Sequence, residues 1–276
     1  MTLEAMYGLL NGLAGLFGAL FGSVLNVCII RMPEDRSVVW PGSACPSCGA
    51  AIKPYDNVPI LAWLWLGGRC RSCKAAISPI YPIIEALFAV LAVLLFRKIV
   101  PDLFAFDVKH QAAYAWYLWL LFALVGLTFI DLQRHIIPYP FSIYSVPVAI
   151  GGAALLGWLG YHEGPTWQQS AVGAAIGGGF LALVALVYKI LRRDEGMGGG
   201  DAQLLALLGG YFGAYPGVLY VLMIGATAGA LIGSLSLLLR RKGFRTRIPF
   251  GPFLALGALV WLFFGEHIFG AFSPWA

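Results

Sequence analysis

The sequence predicts an all-α fold: a polytopic membrane protein of about eight transmembrane helices that carries a small cytoplasmic zinc-binding segment. Three observations carry this expectation. Apolar residues fill 60% of the 276 positions and charged residues only 11%, against about 25% charged in a soluble domain. The apolar residues fall in runs long enough to cross a hydrocarbon core of about 30 Å at about 1.5 Å per helical residue. Four of the five cysteines form two Cys-x-x-Cys pairs inside the one sizeable polar stretch. The formal charge of +5 raises the question of nucleic acid, but the placement of the basic residues assigns it to membrane orientation, and no nucleic-acid partner is expected.

Residues 6–30 are continuously apolar, and residues 1–30 are read as the first transmembrane unit. The run is too long for the core of a signal peptide, and its flank carries Glu4 instead of a basic cluster. Asn26 lies inside this span, where an unbonded amide is costly, so it is expected to face another helix. Residues 31–78 form the polar segment, with Cys45-Pro46-Ser47-Cys48 and Cys70-Arg71-Ser72-Cys73 as two knuckles. Four thiolates at this spacing converge on a tetrahedral Zn²⁺ and leave no position for water, so the metal is expected to be structural. Cys28, in the first span, reads as a small buried hydrophobe.

Residues 79–276 are read as a seven-span membrane domain. Its first span, about 80–100, contains Glu85, either a functional carboxylate or a structural hydrogen-bond partner. The next, about 112–131, ends on Asp131; the chain re-enters at Ile136-Ile137-Pro138 and runs to about Gly160. A span over about 170–191 leads into the glycine-rich loop Glu195–Gly200 and then Asp201. The stretch 202–240 is punctuated at Tyr215-Pro216-Gly217 and reads as two spans, of which 202–214 gives only about 20 Å of helix. The last span is about 250–270. Gly173 and Gly177, like Gly225, Gly229 and Gly233, recur four apart, a spacing for close helix packing.

Fifteen of the eighteen basic residues fall on one side of this topology, leaving Arg97, Lys98 and Lys109 on the other. The basic side is expected to be cytoplasmic, where thiols stay reduced. The zinc segment lies there, and so do Asp131 and Asp201, at similar depth although 70 positions apart. Alone, Asp201 behind its glycines would read as a loop and a helix cap. As a pair in a poorly solvated site, two carboxylates cannot both stay ionised, which is the requirement for acid–base work on water. The helix ends suggest Asp201 as the base and Asp131 as the acid.

With these residues in place the chain resembles the type IV prepilin peptidases along nearly its whole length. The matching features are Gly22-Ser23…Asn26-Val27…Arg31-Met32-Pro33, both cysteine pairs, Tyr81-Pro82…Glu85, Ile130-Asp131 with Ile137-Pro138, Gly198-Gly199-Gly200-Asp201 with Leu204-Leu205, and Pro249-Phe250-Gly251-Pro252. The resemblance implies an inner-membrane aspartyl endopeptidase that removes the basic leader of prepilins and pseudopilins at the cytoplasmic face. It also implies N-methylation of the new N-terminus with S-adenosylmethionine. Asp131 and Asp201 match the family's catalytic pair, and Cys45, Cys48, Cys70 and Cys73 its zinc ligands. The chain departs from the pattern at Pro138-Tyr139-Pro140-Phe141-Ser142, where the family has Pro-Asp-x-Leu-Thr, and at Gln203, where it commonly has lysine. No Gly-x-Gly-x-x-Gly follows a strand, so an S-adenosylmethionine site would be built among spans and the zinc segment. The alternatives are a proton- or ion-coupled transporter using the two carboxylates and a zinc-scaffolded assembly protein without catalysis.

Overall fold

A computed structural model describes residues 2–192, 199–239 and 249–272. Among the described residues the chain forms helices, with β pairing limited to two isolated bridges. The helices are α1 (Leu3–Arg31), α2 (Leu61–Trp65), α3 (Ile80–Ile99), α4 (Val108–Arg134), α5 (Val146–Trp158), α6 (Trp167–Arg192), α7 (Gly199–Phe212), α8 (Leu219–Leu239) and α9 (Gly251–Phe272). The glycine-rich loop up to Gly198 and most of the basic loop at 240–249 lie outside the described residues.

Among the described residues, seven helical stretches are long and apolar enough to cross a membrane. The expectation of about eight differs in one place. With 14 residues, α7 is too short to count alone; with α8 as far as Leu235 it makes a 37-residue stretch broken at Gly213–Val218. Tyr215 leaves the helical region there, just before Pro216, which has no N–H to give and whose ring crowds the preceding turn. Counting α7 apart from α8 gives the eight segments of the sequence reading. Large apolar side chains such as Phe180, Leu183 and Leu186 on α6 are exposed, as hydrocarbon solvation allows and water would not.

The chain divides into two compact units, residues 1–126 and 127–276. In the first, α1 lies directly on α3. A methyl built on Gly18 would sit 2.7 Å from the Ala92 Cβ, and one on Gly22 would sit 2.7 Å from the Glu85 Cα. Asn26 faces α3 as expected, its amide donating to the Tyr81 carbonyl at 3.1 Å and reaching Glu85 Oε1 at 3.5 Å. Glu85 Oε2 accepts the Ile60 amide at 2.7 Å, so this buried carboxylate holds the backbone entering α2. Ile60 needs that hold, because its φ of 62° is a left-handed value that a β-branched residue rarely adopts.

In the second unit α6 and α7 run antiparallel in unusually close contact. Methyls built on Gly173, Gly177 and Gly209 would fall inside the opposing backbone, so side chains there would force the helices apart. Ser170, fully buried, donates to the Gly210 carbonyl at 2.6 Å across the same seam. α8 and α9 are also antiparallel, with Gly225 against Phe253 and Gly257 against Val221. The chain from the end of α4 into α5 climbs alongside α7: Ile137 abuts Gly200, Ser142 meets Gln203, and Ala149 on α5 abuts Gly210. Thus α4 ends, and α7 and α9 begin, at one end of this unit.

Candidate active site and metal centre

The candidate metal centre is built from two copies of one local structure. In the first knuckle the Cys45 amide donates to the Ala50 carbonyl and the Gly49 amide returns to the Cys45 carbonyl, both at 2.9 Å. In the second, Cys70 donates to Ala75 at 2.9 Å and Lys74 to Cys70 at 3.0 Å. One antiparallel bridge closes each, Ala44 with Ala51 and Arg69 with Ala76. The residue after each second cysteine is left-handed, Gly49 at φ 71° and Lys74 at φ 61°. Glycine adopts that value freely, whereas lysine is held there by the turn.

The sulfurs of Cys45, Cys48, Cys70 and Cys73 all lie within 4.8 Å of one another, with Cys45 and Cys73 at 3.8 Å. Metal–sulfur bonds of about 2.3 Å in a tetrahedron set neighbouring sulfurs about 3.8 Å apart, so the four-cysteine cluster fits a metal ion. Disulfide bonds would need about 2.05 Å, and all four thiols are free. The backbone amides of Cys48 and Ser47 aim at the Cys45 sulfur and bring its thiol down to about 6, favouring the thiolate that a metal takes. Arg71 grips Asp56 with two parallel bonds of 2.7 and 2.6 Å, tying the second knuckle to the helical turn Pro54–Asn57. Arg71 in turn holds the Asp56 carboxyl below its usual range.

The second site forms in residues 127–276. Asp131 is 5% exposed in the last turn of α4, which ends as the His135 amide bonds the Asp131 carbonyl at 2.9 Å and His135 turns left-handed. Asp201 is half-buried in the first turn of α7. The sequence placed it as the cap after a glycine loop. Instead Gly199 and Gly200 are already helical and Asp201 is the third helical residue. Its carboxylate lies within electrostatic reach of that of Asp131.

Two neighbours complete that site. The side chain of Ile137 wedges between the starts of α7 and α9: a methyl on Gly200 would come 2.9 Å from its Cβ, and one on Gly251 would come 3.4 Å from its Cδ1. Gly251 opens α9, and its amide hydrogen-bonds to the Asp131 carboxylate; a methyl there would lie 2.6 Å from Oδ2. Asp131 therefore ends one helix while meeting the N-terminus of another. Helix ends no longer divide acid from base, because both carboxylates now sit at a helix N-terminus. The sequence signal for Gly251 was Pro249-Phe250-Gly251-Pro252, a motif whose contact with a residue 120 positions away nothing local announces.

Comparisons with known proteins identify the family. Residues 16–99 match the Bacterial Peptidase A24 N-terminal domain, and residues 115–234 match the Type IV leader peptidase family. A protein of Aeromonas salmonicida named prepilin leader peptidase/N-methyltransferase is 34% identical, over 97% of this chain and 96% of its own length. Proteins of the same name from Burkholderia pseudomallei and Pseudomonas aeruginosa are each 32% identical, over 95% and 92% of this chain and 88% and 90% of theirs. No solved structure matches the chain. Nothing in these similarities supports the transporter alternative. With such identity along almost its whole length, the chain belongs to the type IV leader peptidase family.

Proposed function

We propose that this chain is a prepilin leader peptidase in which Asp131 and Asp201 act together on water. The observation that carries the reading is the shared site of these two carboxylates at one end of the second unit, one of them buried against the Gly251 amide. One ionised carboxylate takes a proton from water as its oxygen attacks the scissile carbonyl. The other, protonated, gives its proton to the carbonyl oxygen; as the tetrahedral intermediate collapses, the first carboxyl passes the proton it took from water to the leaving amine, and the hydroxyl proton returns to the second carboxylate. The Gly251 amide holds Asp131 in place through both steps, and Ile137 packs between the starts of the two helices beside it.

Fifteen basic residues on the side that bears the pair support a cytoplasmic orientation in the inner membrane. Prepilins and pseudopilins present a basic leader on that side of their own apolar helix, so the scissile bond arrives where it leaves lipid. The four cysteines would hold Zn²⁺, which with four sulfurs has no open position and serves structure alone. S-adenosylmethionine would supply the methyl group for the amine that cleavage exposes. It finds no strand-based dinucleotide cradle among the described residues, where β pairing is two isolated bridges.

Incubating the purified protein in detergent with a prepilin and labelled S-adenosylmethionine tests both activities. Leader removal and label on the new N-terminus are expected. An intact prepilin after prolonged incubation would refute the peptidase, and cleavage without label would refute the methyltransferase alone.

A further inference from the structure

The two departures from the family's pattern, at 138–142 and at 203, touch each other. Ser142 is fully buried, with its hydroxyl 2.9 Å from the Pro138 carbonyl and 3.0 Å from the Gln203 side-chain oxygen. A hydroxyl has one hydrogen to give. Both contacts are satisfied when it bonds Pro138 and the Gln203 amide is turned to donate its own N–H to the serine oxygen. No water is needed, in a region where a span offers little.

On α7, Gly200 and Gln203 are three residues apart and share a face. Gly200 rests on Ile137 and Gln203 on Ser142, so the first turn of α7 is fixed to the 137–142 segment at two points. Two points set both the height of the helix and its rotation about its axis. Asp201 stands about 100° around from Gly200, on the side that this rotation determines. We propose that Gln203, through Ser142, is a positioning residue for Asp201, holding it at the angle from which it meets Asp131. This inference rests on the peptidase reading of the carboxylate pair.

The test is cleavage kinetics in detergent, normalised to folded protein, for Ser142→Ala, Gln203→Met, the double variant, Ser142→Thr and Ser142→Val. Ser142→Ala and Gln203→Met are expected to lower kcat about tenfold with KM unchanged, the scale of one lost hydrogen bond. The double variant falls no further, because all three lose the same bond. Ser142→Thr keeps the hydroxyl and stays within about twofold of wild type; Ser142→Val, its isostere, behaves like Ser142→Ala. Unchanged kcat in both Ser142→Ala and Gln203→Met, or equal losses for threonine and valine, overturns the proposal. Asp201→Asn runs alongside as the control for the underlying reading. Cleavage by that variant sinks the peptidase assignment itself, whereas its inactivity beside a fully active Ser142→Ala sinks only the positioning role.

Discussion

Replacing Gly251 with alanine adds one methyl group at the most constrained point of the carboxylate site. That methyl would lie 2.6 Å from Asp131 Oδ2, about 0.8 Å inside an ordinary carbon–oxygen contact of about 3.4 Å. Gly251 is not among the glycines with positive φ, so a side chain there meets no left-handed strain. Nor does Ile137 resist, being at ordinary distance, 3.4 Å. The Asp131 carboxylate must therefore move by most of an ångström. Misplacement of that size at a reacting group costs about 10²-fold in rate. We expect Gly251→Ala to lower kcat for prepilin cleavage about 10- to 100-fold, with KM and the unfolding temperature in detergent close to wild type. Wild-type kcat in this variant would refute the reasoning, because the methyl and the working position of the carboxylate would then coexist.

Three further outcomes follow from the same contacts. Gly209→Ala places a methyl 2.0 Å from the Gly173 carbonyl oxygen, so it should destabilise the second unit by about 1–3 kcal/mol or more in thermal unfolding, and an unchanged unfolding temperature would contradict the packing described. Metal analysis of the purified protein should give one zinc per chain, lost in Cys48→Ser and retained in Asp131→Asn, and zinc retained in full by Cys48→Ser would contradict the four-sulfur site. Asp107 caps α4 through the His110 amide at 3.0 Å, and that bond holds its carboxyl below the usual range. Its contribution is complete above the ordinary carboxylate pKa of about 3.9 and is lost as pH falls through the lower folded value. Acidification from about pH 5 to about pH 3 should accordingly lower the unfolding temperature of wild type more than that of Asp107→Asn, which keeps a cap without the charge; parallel curves would contradict it.

Much of this architecture was legible because lipid and metal impose patterns on neighbouring residues. Apolar runs located α1, α3, α6 and α9 within a few residues, and the knuckle spacing identified all four sulfurs. Asn26 could be placed against another helix because an unbonded amide inside a span is costly. The start of α7 was less legible. Three consecutive glycines read as loop on local propensity, at about 1 kcal/mol each against helix. At Gly200, the second of the two described, tertiary contact overrides that preference: without a side chain it accepts Ile137, and Gly177 accepts the Leu205 backbone further along α7. The Gly251 contact with Asp131 and the Ser142–Gln203 bond join distant parts of the chain and leave no periodicity to read. Glu85 illustrates the same limit from the other side. Its cost inside a span left a functional and a structural role open, and only the fold shows Ile60 and Asn26 as its partners.

The central claim is that Asp131 and Asp201 work as one unit in peptide hydrolysis. The most direct measurement is kcat for cleavage of a purified prepilin by wild type, Asp131→Asn, Asp201→Asn and the double variant, each checked for intact zinc and fold. The account predicts that either single substitution reduces cleavage to background and that the double loses nothing more. A single variant that still cleaves within about tenfold of wild type would contradict it.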